Sequence, residues 1–309
     1  MKFILRPLEK SHSILERIIN KINRELFINP ARRKISRKLI ASIPPYSNDA
    51  DQEFSIHTLI GARYVEMAIA GFKVFNYVSG KNFKITIHDD GTLNEENIRR
   101  LNQHLNCKII RRKEADEKAK QELINYPALF QFRSAQVMAL KFIDVKLFSR
   151  GARNAYIDAD ILFFSYPEFF IQTLTDQSEQ INYFNKDIDN AYINNIDEIE
   201  KATGLRPFEK ANAGLWVINA KDIDLSLAES WLSKKYFQPF KTSYRLEQTL
   251  ISILANTSEQ RAAHLPAAYD VDLLKHPENS VCKHYVGRIR HGYELEGLQF
   301  ILDNKIKIT

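Results

Sequence analysis

The chain has 309 residues, 44% apolar and 27% charged, which suits one large domain or two ordinary ones around a sizeable buried core. Its net charge of +6 is uneven: residues 1–48 carry 11 Lys or Arg against 3 Glu, so the basicity belongs to an arm and the remainder is slightly acidic. Ten glycines with no G-x-G spacing exclude Gly-rich phosphate cradles, two cysteines without C-x-x-C exclude a disulfide framework, and the lack of any long apolar run disfavours export and membrane spanning.

In chain order, Ile14, Leu15, Ile18, Ile19, Ile22 and Leu26 recur at helical spacing among Glu16, Arg17, Lys21 and Arg24, predicting an amphipathic helix over 11–28. A second basic piece follows at 32–40. Three readings of this arm stay open: a helix packed on the body with its charges solvated, a helix resting on anionic lipid, or a contact with a partner or nucleic acid. Nucleic acid is disfavoured, because no aromatic stacking platform accompanies the basic residues. Pro44-Pro45 and the polar stretch 47–52 mark a linker, dividing the chain into a basic extension, 1–52, and a main body, 53–309.

Strands then alternate with helices: strand 54–60, helix 62–78, strand 83–88, helix 95–105, strand 108–111, a long helix around 131–148 and strand 155–164. Beyond Pro167 the pattern loosens into a strand at 215–219, helices near 226–235 and 245–255, and a polar tract from 281. This order predicts an α/β fold with a mixed, mainly parallel sheet flanked by helices, whose ligands bind at the carboxyl ends of the strands. The cysteine usage and the absence of an exported or spanning segment fit the cytoplasm.

The segment Asn154-Ala-Tyr-Ile-Asp158-Ala-Asp160-Ile-Leu-Phe-Phe164 is the most informative. D-x-D occurs five times, at 49/51, 158/160, 187/189, 222/224 and 270/272, and only the 158/160 pair has apolar runs on both sides. Alternate residues of a strand share a face, so two carboxylates would leave a hydrophobic element in one direction. A divalent cation with oxygen ligands would offset their repulsion. The alternatives are a strand-end turn with solvated carboxylates, or a pair satisfied by Arg153 and Lys146. The other four pairs read as surface or capping residues, with Asp222 and Asp224 fitting a helix N-cap before Leu225.

Tyr156-Ile-Asp-Ala-Asp-Ile-Leu162 resembles the DxD strand of GT-A fold glycosyltransferases, which use nucleotide sugars. Further matches in order resemble family 8, the group containing glycogenin. Thr58-Leu-Ile-Gly61 followed by Tyr64 is similar to its nucleoside-binding first strand and turn, and Lys141 stands where that family has a donor-contacting Lys. Asn212-Ala213-Gly214 is similar to the N-A-G strand beside the donor sugar, and Glu247-Gln248-Thr-Leu-Ile251 to the D-Q-x-x-L helix. His284-Tyr-Val-Gly287-Arg-Ile-Arg290 resembles H-x-x-G-x-x-K, with Arg in place of Lys. His88-Asp89-Asp90-Gly91 looks more like the base-binding D-D-G of family 2.

The resemblance covers about 54–295. It implies a GT-A body that moves a sugar from a nucleoside-diphosphate sugar, UDP-linked by resemblance, to a glycan or lipid-linked acceptor. Its metal, Mn²⁺ or Mg²⁺, would sit on Asp158, Asp160 and His284, and a mixed oxygen and imidazole set favours Mn²⁺. The nucleotide falls to Thr58, Leu59, Gly61, Tyr64, Asp89, Asp90 and Lys141. Gly287 and Arg290 take the phosphates, with Gly287 allowing close backbone approach, and Asn212, Ala213 and Gly214 the sugar. Glu247 and Gln248 are the catalytic candidates; Glu247 is the general base if configuration inverts, and none is needed if it is retained. The rivals are a sugar-nucleotide pyrophosphorylase, for which Gly61-Ala-Arg63 is too meagre a loop, and an inactive GT-A domain serving as a scaffold. The arm 1–48 is expected to add peripheral contact with an anionic membrane.

Overall fold

The computed structural model describes residues 22, 26, 29–43, 49, 53–257, 261–271, 275–287 and 289–304. The expected 11–28 helix apart from residues 22 and 26, most of the linker and Arg288 lie outside the described residues.

Seven strands make the main sheet, in the spatial order β3 (Cys107–Ile110), β2 (Ile85–Asp89), β1 (Ser55–Ile60), β4 (Arg153–Ile157), β7 (Ala211–Asn219), β6 (Asn182–Lys186) and β8 (Ala262–His264). Only β7 runs against the rest, so the sheet is mixed and mainly parallel, flanked by helices, as the alternation of elements indicates. A second sheet joins β5 (Ile161–Phe163), β10 (Cys282–His284) and β9 (Tyr269–Asp270), with β10 central.

β4 and β7 are buried along their whole length, which is why both read as nearly continuous apolar runs. Alternation assigns their side chains to two cores. Ala155, Ile157, Leu215 and Val217 pack with the Val65–Ser79 helix, whereas Tyr156, Trp216 and Ile218 pack with the Arg245–Leu254 and Leu225–Leu232 helices. The Asn29–Ser42 helix lies on the Val65–Ser79 helix and on the Tyr293–Leu298 turn. It buries Leu39 and Ile40, and Lys73 Nζ donates to the Ile40 carbonyl at 2.7 Å. Among the described residues, no helix is long and apolar enough to cross a membrane.

Three sequence expectations are corrected. The helix expected over 131–148 is two helices, Pro127–Ala135 and Ile143–Phe148, separated by a 3-10 turn at Val137–Lys141. Gln136 has extended backbone there, and its side chain accepts from Met138 N, so the amide starts a new turn instead of continuing the old one. An unforeseen helix, Arg112–Glu122, buries only Ala115 and Ala119, too small an apolar face for periodicity to reveal. The tract from 281 is not a polar tail: Cys282, Tyr285, Tyr293, Leu298 and Ile301 join the core, and the tyrosine hydroxyls disguise that role in the sequence.

Candidate active site

The strand expected over 155–164 stops at Ile157. Asp158 N donates to the Gly214 carbonyl at 2.7 Å, and Ile161 N donates back to the Asp158 carbonyl at 3.2 Å, closing a turn that passes the chain from the main sheet to β5. Asp158 and Asp160 are therefore turn residues rather than alternate residues of one strand. A continuous strand would have carried both charges through an apolar core; the turn instead releases them at the edge of the sheet. β10 pairs antiparallel with β5, setting His284 opposite Ile161 and its ring beside both carboxylates. One ligand atom from each of Asp158, Asp160 and His284 fits within 4.8 Å of the others.

Each of the three is fixed by other residues. Asp158 Oδ1 accepts from the Tyr156 hydroxyl at 3.0 Å, and that hydroxyl accepts from Leu59 N at 3.1 Å. Asp158 Oδ2 accepts from Lys141 Nζ at 3.0 Å. His284 Nδ1 lies 2.7 Å from Asn212 Oδ1, and the Asn212 amide is oriented by Gly214 N, which donates to Oδ1 at 2.9 Å, and by its own Nδ2, which donates to Asp187 at 3.0 Å. With the oxygen facing the ring, Nδ1 carries the proton, and Nε2 turns toward Asp160 Oδ1 at 3.1 Å and Asp158 Oδ2 at 3.7 Å. A neutral imidazole then presents a lone pair to carboxylate oxygens, so acceptors meet acceptors; a proton or a metal cation satisfies all three. The donor set suits a divalent cation, with oxygen and imidazole ligands and an outer hydrogen bond on the histidine.

Arg290 closes the opposite side. Its Nε and Nη2 reach Asp160 Oδ2 at 2.8 and 2.7 Å, and its Nη1 donates to the Tyr64 hydroxyl at 3.2 Å. Burial alone would raise the Asp160 carboxyl, but the charge and hydrogen bonds of His284 and Arg290 outweigh it and hold the group well below the usual carboxylate range. Glu247, buried on the neighbouring helix, is pushed up to about 8 by burial; Lys141 opposes the shift and Asp158 adds to it. Among the described residues its Oε1 has no hydrogen-bond partner, and neither has Gln248 Nε2, while Gln248 Oε1 lies 3.5 Å from Ala213 N.

At two of the expected glycines an added side chain would meet a neighbour at close range. A Cβ on Gly214 would stand 2.1 Å from His284 Cε1, and one on Gly61 would stand 2.1 Å from Asp90 Oδ2. At Gly287 nothing lies within 4 Å of such an atom.

The remaining expected residues divide. Gly61, Tyr64 and Asp90 converge at the carboxyl ends of β1 and β2, beside a concavity of about 840 Å³ lined by Asp89, Arg111, Arg112 and Arg133. Thr58 is buried with a hydroxyl that has no partner among the described residues, and Leu59 serves through its N–H to Tyr156. Asp89 is committed to the turn after β2, where Oδ1 accepts from Gly91 N and Leu93 N at 2.8 and 3.2 Å. Lys141 is buried against Asp158, and its Nζ lies 4.8 Å from the Tyr156 ring centroid. Arg153 and Lys146 do not compensate the acidic pair: Arg153 donates to the carbonyls of Thr173, Glu179 and Ile181, and Lys146 to that of Ala220. Asp224 caps the Leu225–Leu232 helix as expected, accepting from Ser226 N and Leu227 N at 2.8 and 3.0 Å.

Two residues of the site were not singled out from the sequence. Tyr156 had a usable signal, since it precedes Asp158 by two positions and shares its face. Asp187, which orients Asn212, belongs to a D-x-D pair that reads as surface, and its partner lies 25 positions away in the chain.

No protein-family model matches the sequence, and no curated protein matches it. Solved structures that it resembles include mouse xyloside xylosyltransferase 1, at 10% identity over 77% of this chain and 99% of that one, with a TM-score of 0.49. The galactosyltransferase LgtC in complex with donor and acceptor sugar analogues aligns at 14% identity over 75% of this chain and 87% of that one, with a TM-score of 0.49. Core-mannan synthase A from Aspergillus fumigatus, in a Mn/GDP form, aligns at 12% identity over 72% of this chain and 75% of that one, with a TM-score of 0.44.

Proposed function

We propose that the chain is a metal-dependent glycosyltransferase of the GT-A type, which moves a hexosyl group from a nucleoside-diphosphate sugar to a glycan or lipid-linked acceptor. The observation that carries this reading is the convergence of Asp158, Asp160 and the Nε2 of His284 at the strand ends, with donor atoms within 4.8 Å of one another. These three would hold Mn²⁺ or Mg²⁺, with the imidazole favouring Mn²⁺. Such an ion, when bound, neutralises the charge that gathers on a departing diphosphate.

The protein's own residues do the rest. Lys141 and Tyr156 hold Asp158 in place, and Asn212 fixes the tautomer of His284. Gly61, Tyr64 and Asp90 face the nucleoside from the ends of β1 and β2. Gln248 Nε2 and Glu247 Oε1, an unmet donor and an unmet acceptor beside the metal ligands, suit sugar hydroxyls. A carboxyl held near 8 is poised to take a proton from an acceptor hydroxyl, the role of Glu247 if the anomeric carbon inverts.

Thermal-shift screening of UDP, GDP and their sugars, with and without Mn²⁺, tests the reading: one donor raises Tm by several degrees with Mn²⁺, and Asp158→Asn abolishes the rise. Full stabilisation of Asp158→Asn would sink the metal assignment. Binding without donor hydrolysis or transfer would turn the protein into the scaffold of the rival reading.

Membrane contact through the arm belongs to the same proposal. On the Asn29–Ser42 helix, Ser36, Leu39 and Ile40 face the body, whereas Arg33, Lys34, Arg37 and Lys38 are exposed. Each contributes about 1 kcal/mol near an anionic surface, less in salt. Replacing the four with Gln should release the full-length protein from phosphatidylserine liposomes in sedimentation; unchanged sedimentation refutes the contact.

A further inference from the structure

We propose that Arg290 is a charge latch on the cation site, coupling the binding of metal to that of the donor's diphosphate. The inference rests on the metal and nucleotide reading above and goes beyond it by assigning Arg290 two alternative partners.

The guanidinium holds one carboxylate oxygen with two nitrogens: Nε and Nη2 approach Asp160 Oδ2 at 2.8 and 2.7 Å. His284 Nε2 faces Oδ1 at 3.1 Å, so both oxygens of Asp160 lie against protein groups. The two partners of the ion pair differ in freedom. The Asp160 side chain is 7% exposed, whereas that of Arg290 is 32% exposed and opens toward solvent. The carboxylate cannot leave, and the guanidinium can.

A divalent cation on Asp158, Asp160 and His284 would share the Asp160 carboxylate with Arg290, whichever of its oxygens it took. A guanidinium and a dication on one carboxylate repel strongly inside a partly buried site, so the metal must displace Arg290. The displaced group does not go far. Its Nη1 hydrogen-bonds the Tyr64 hydroxyl at 3.2 Å, and its Cζ lies 5.5 Å from the Tyr64 ring centroid, so Tyr64 keeps the cation at the mouth of the site. A diphosphate arriving with the metal gives the freed fork two oxygens in place of the one it lost. Metal alone breaks the Arg290–Asp160 pair without compensation, and diphosphate alone finds its arginine already engaged. Each ligand removes the penalty of the other, and the coupling is reciprocal.

Isothermal titration of Mn²⁺ into the full chain, alone and with saturating UDP or GDP in parallel, tests the latch in wild type, Arg290→Gln, Arg290→Lys and Asp160→Asn. Arg290→Gln should bind Mn²⁺ alone about tenfold more tightly than wild type, and the tightening that the nucleotide gives wild type, at least about tenfold, should shrink below about threefold. Arg290→Lys, which keeps the charge and loses the fork, should fall between the two. Equal or weaker Mn²⁺ binding by Arg290→Gln with an unchanged circular dichroism spectrum overturns the latch while leaving the metal site standing. If wild type takes up no Mn²⁺ with either nucleotide, or if Asp160→Asn binds it as wild type does, the metal reading itself fails and the latch with it.

Discussion

The imidazole of His284 lies directly over the Cα of Gly214, so that a single added methyl at 214 would stand 2.1 Å from Cε1, 2.6 Å from Nδ1 and 2.8 Å from Asp158 Oδ2. Neither neighbour can give way freely, because His284 is pinned by Asn212 and Asp158 by Tyr156 and Lys141. Gly214→Ala should therefore misplace two of the proposed metal ligands by about an ångström and lower Mn²⁺ affinity, and with it the proposed transfer, by about a hundredfold. Calorimetry on the variant checks this, and near-normal Mn²⁺ affinity would contradict it.

Tyr156→Phe tests how the main sheet holds Asp158. The change removes the donor to Asp158 Oδ1 and leaves Leu59 N without its acceptor. A buried unpaired N–H costs about 1–3 kcal/mol, to be read as a lower urea midpoint. Mn²⁺ affinity should fall as well, because one oxygen of Asp158 loses its orientation. A variant as stable as wild type would mean that Leu59 N finds another partner.

Acid should weaken the fold through a site remote from the metal ligands. His57 Nδ1 lies 2.9 Å from His88 Nε2, and the buried rings are stacked, with His57 Nε2 and His88 Nδ1 unpaired among the described residues. Burial lowers His57 to about 3, and burial together with the neighbouring positive charges lowers His88 well below 6.5. Both are neutral when folded and free to protonate when unfolded, so their stability contribution is complete above pH 6.5 and drains away as pH falls toward about 3. Urea midpoints at pH 7.5 and pH 5 measure the loss. The double variant His57→Gln/His88→Gln should show a shallower dependence, and an identical slope would exclude the pair as its source.

Glu247 should act in the opposite sense. Its folded value of about 8 against 4.5 unfolded means that the folded state keeps a proton the unfolded chain releases. Its contribution is complete below pH 4.5 and lost as pH rises through about 8, on the order of 5 kcal/mol across that window. Glu247→Gln, compared with wild type in the presence of a chelator, should remove this slope. A persistent slope would place the responsible proton elsewhere.

Much of the fold was legible because burial writes itself into composition. β4 and β7 are covered on both faces and appear as apolar runs, and the D-x-D pair stood out against that background. The Arg112–Glu122 helix was not legible, because two alanines suffice for its packing and charges hide them. The break at 158–160 was also invisible: an apolar strand that stops and restarts in a second sheet has the same letters as one that continues. Within the site, the apolar surroundings singled out Asp158 and Asp160 and the family resemblance His284, while Asp187 and the pairing of Arg290 with Asp160 depend on contacts 25 and 130 positions apart. Thr58 and Asp89 match a motif, and the fold buries both, with Asp89 in the wall of the concavity at the end of β2.

The passage of the chain from one sheet to the other between Asp158 and Ile161 sets the order in which the centre can come into being. Asp158 belongs to the end of the main sheet, whereas His284 rides on β10, whose pairing with β5 needs the chain to have reached residue 284. Arg290 comes later still, on a segment held by the Tyr293 hydroxyl, which donates to the Met67 carbonyl at 2.9 Å. A chain still being synthesised can complete the six strands from β1 to β4, β6 and β7 and yet possess half a centre. The cation centre would be the last part of the molecule to assemble, and a chain ending at residue 281 would lack it together with the core contributions of Cys282, Tyr285 and Tyr293.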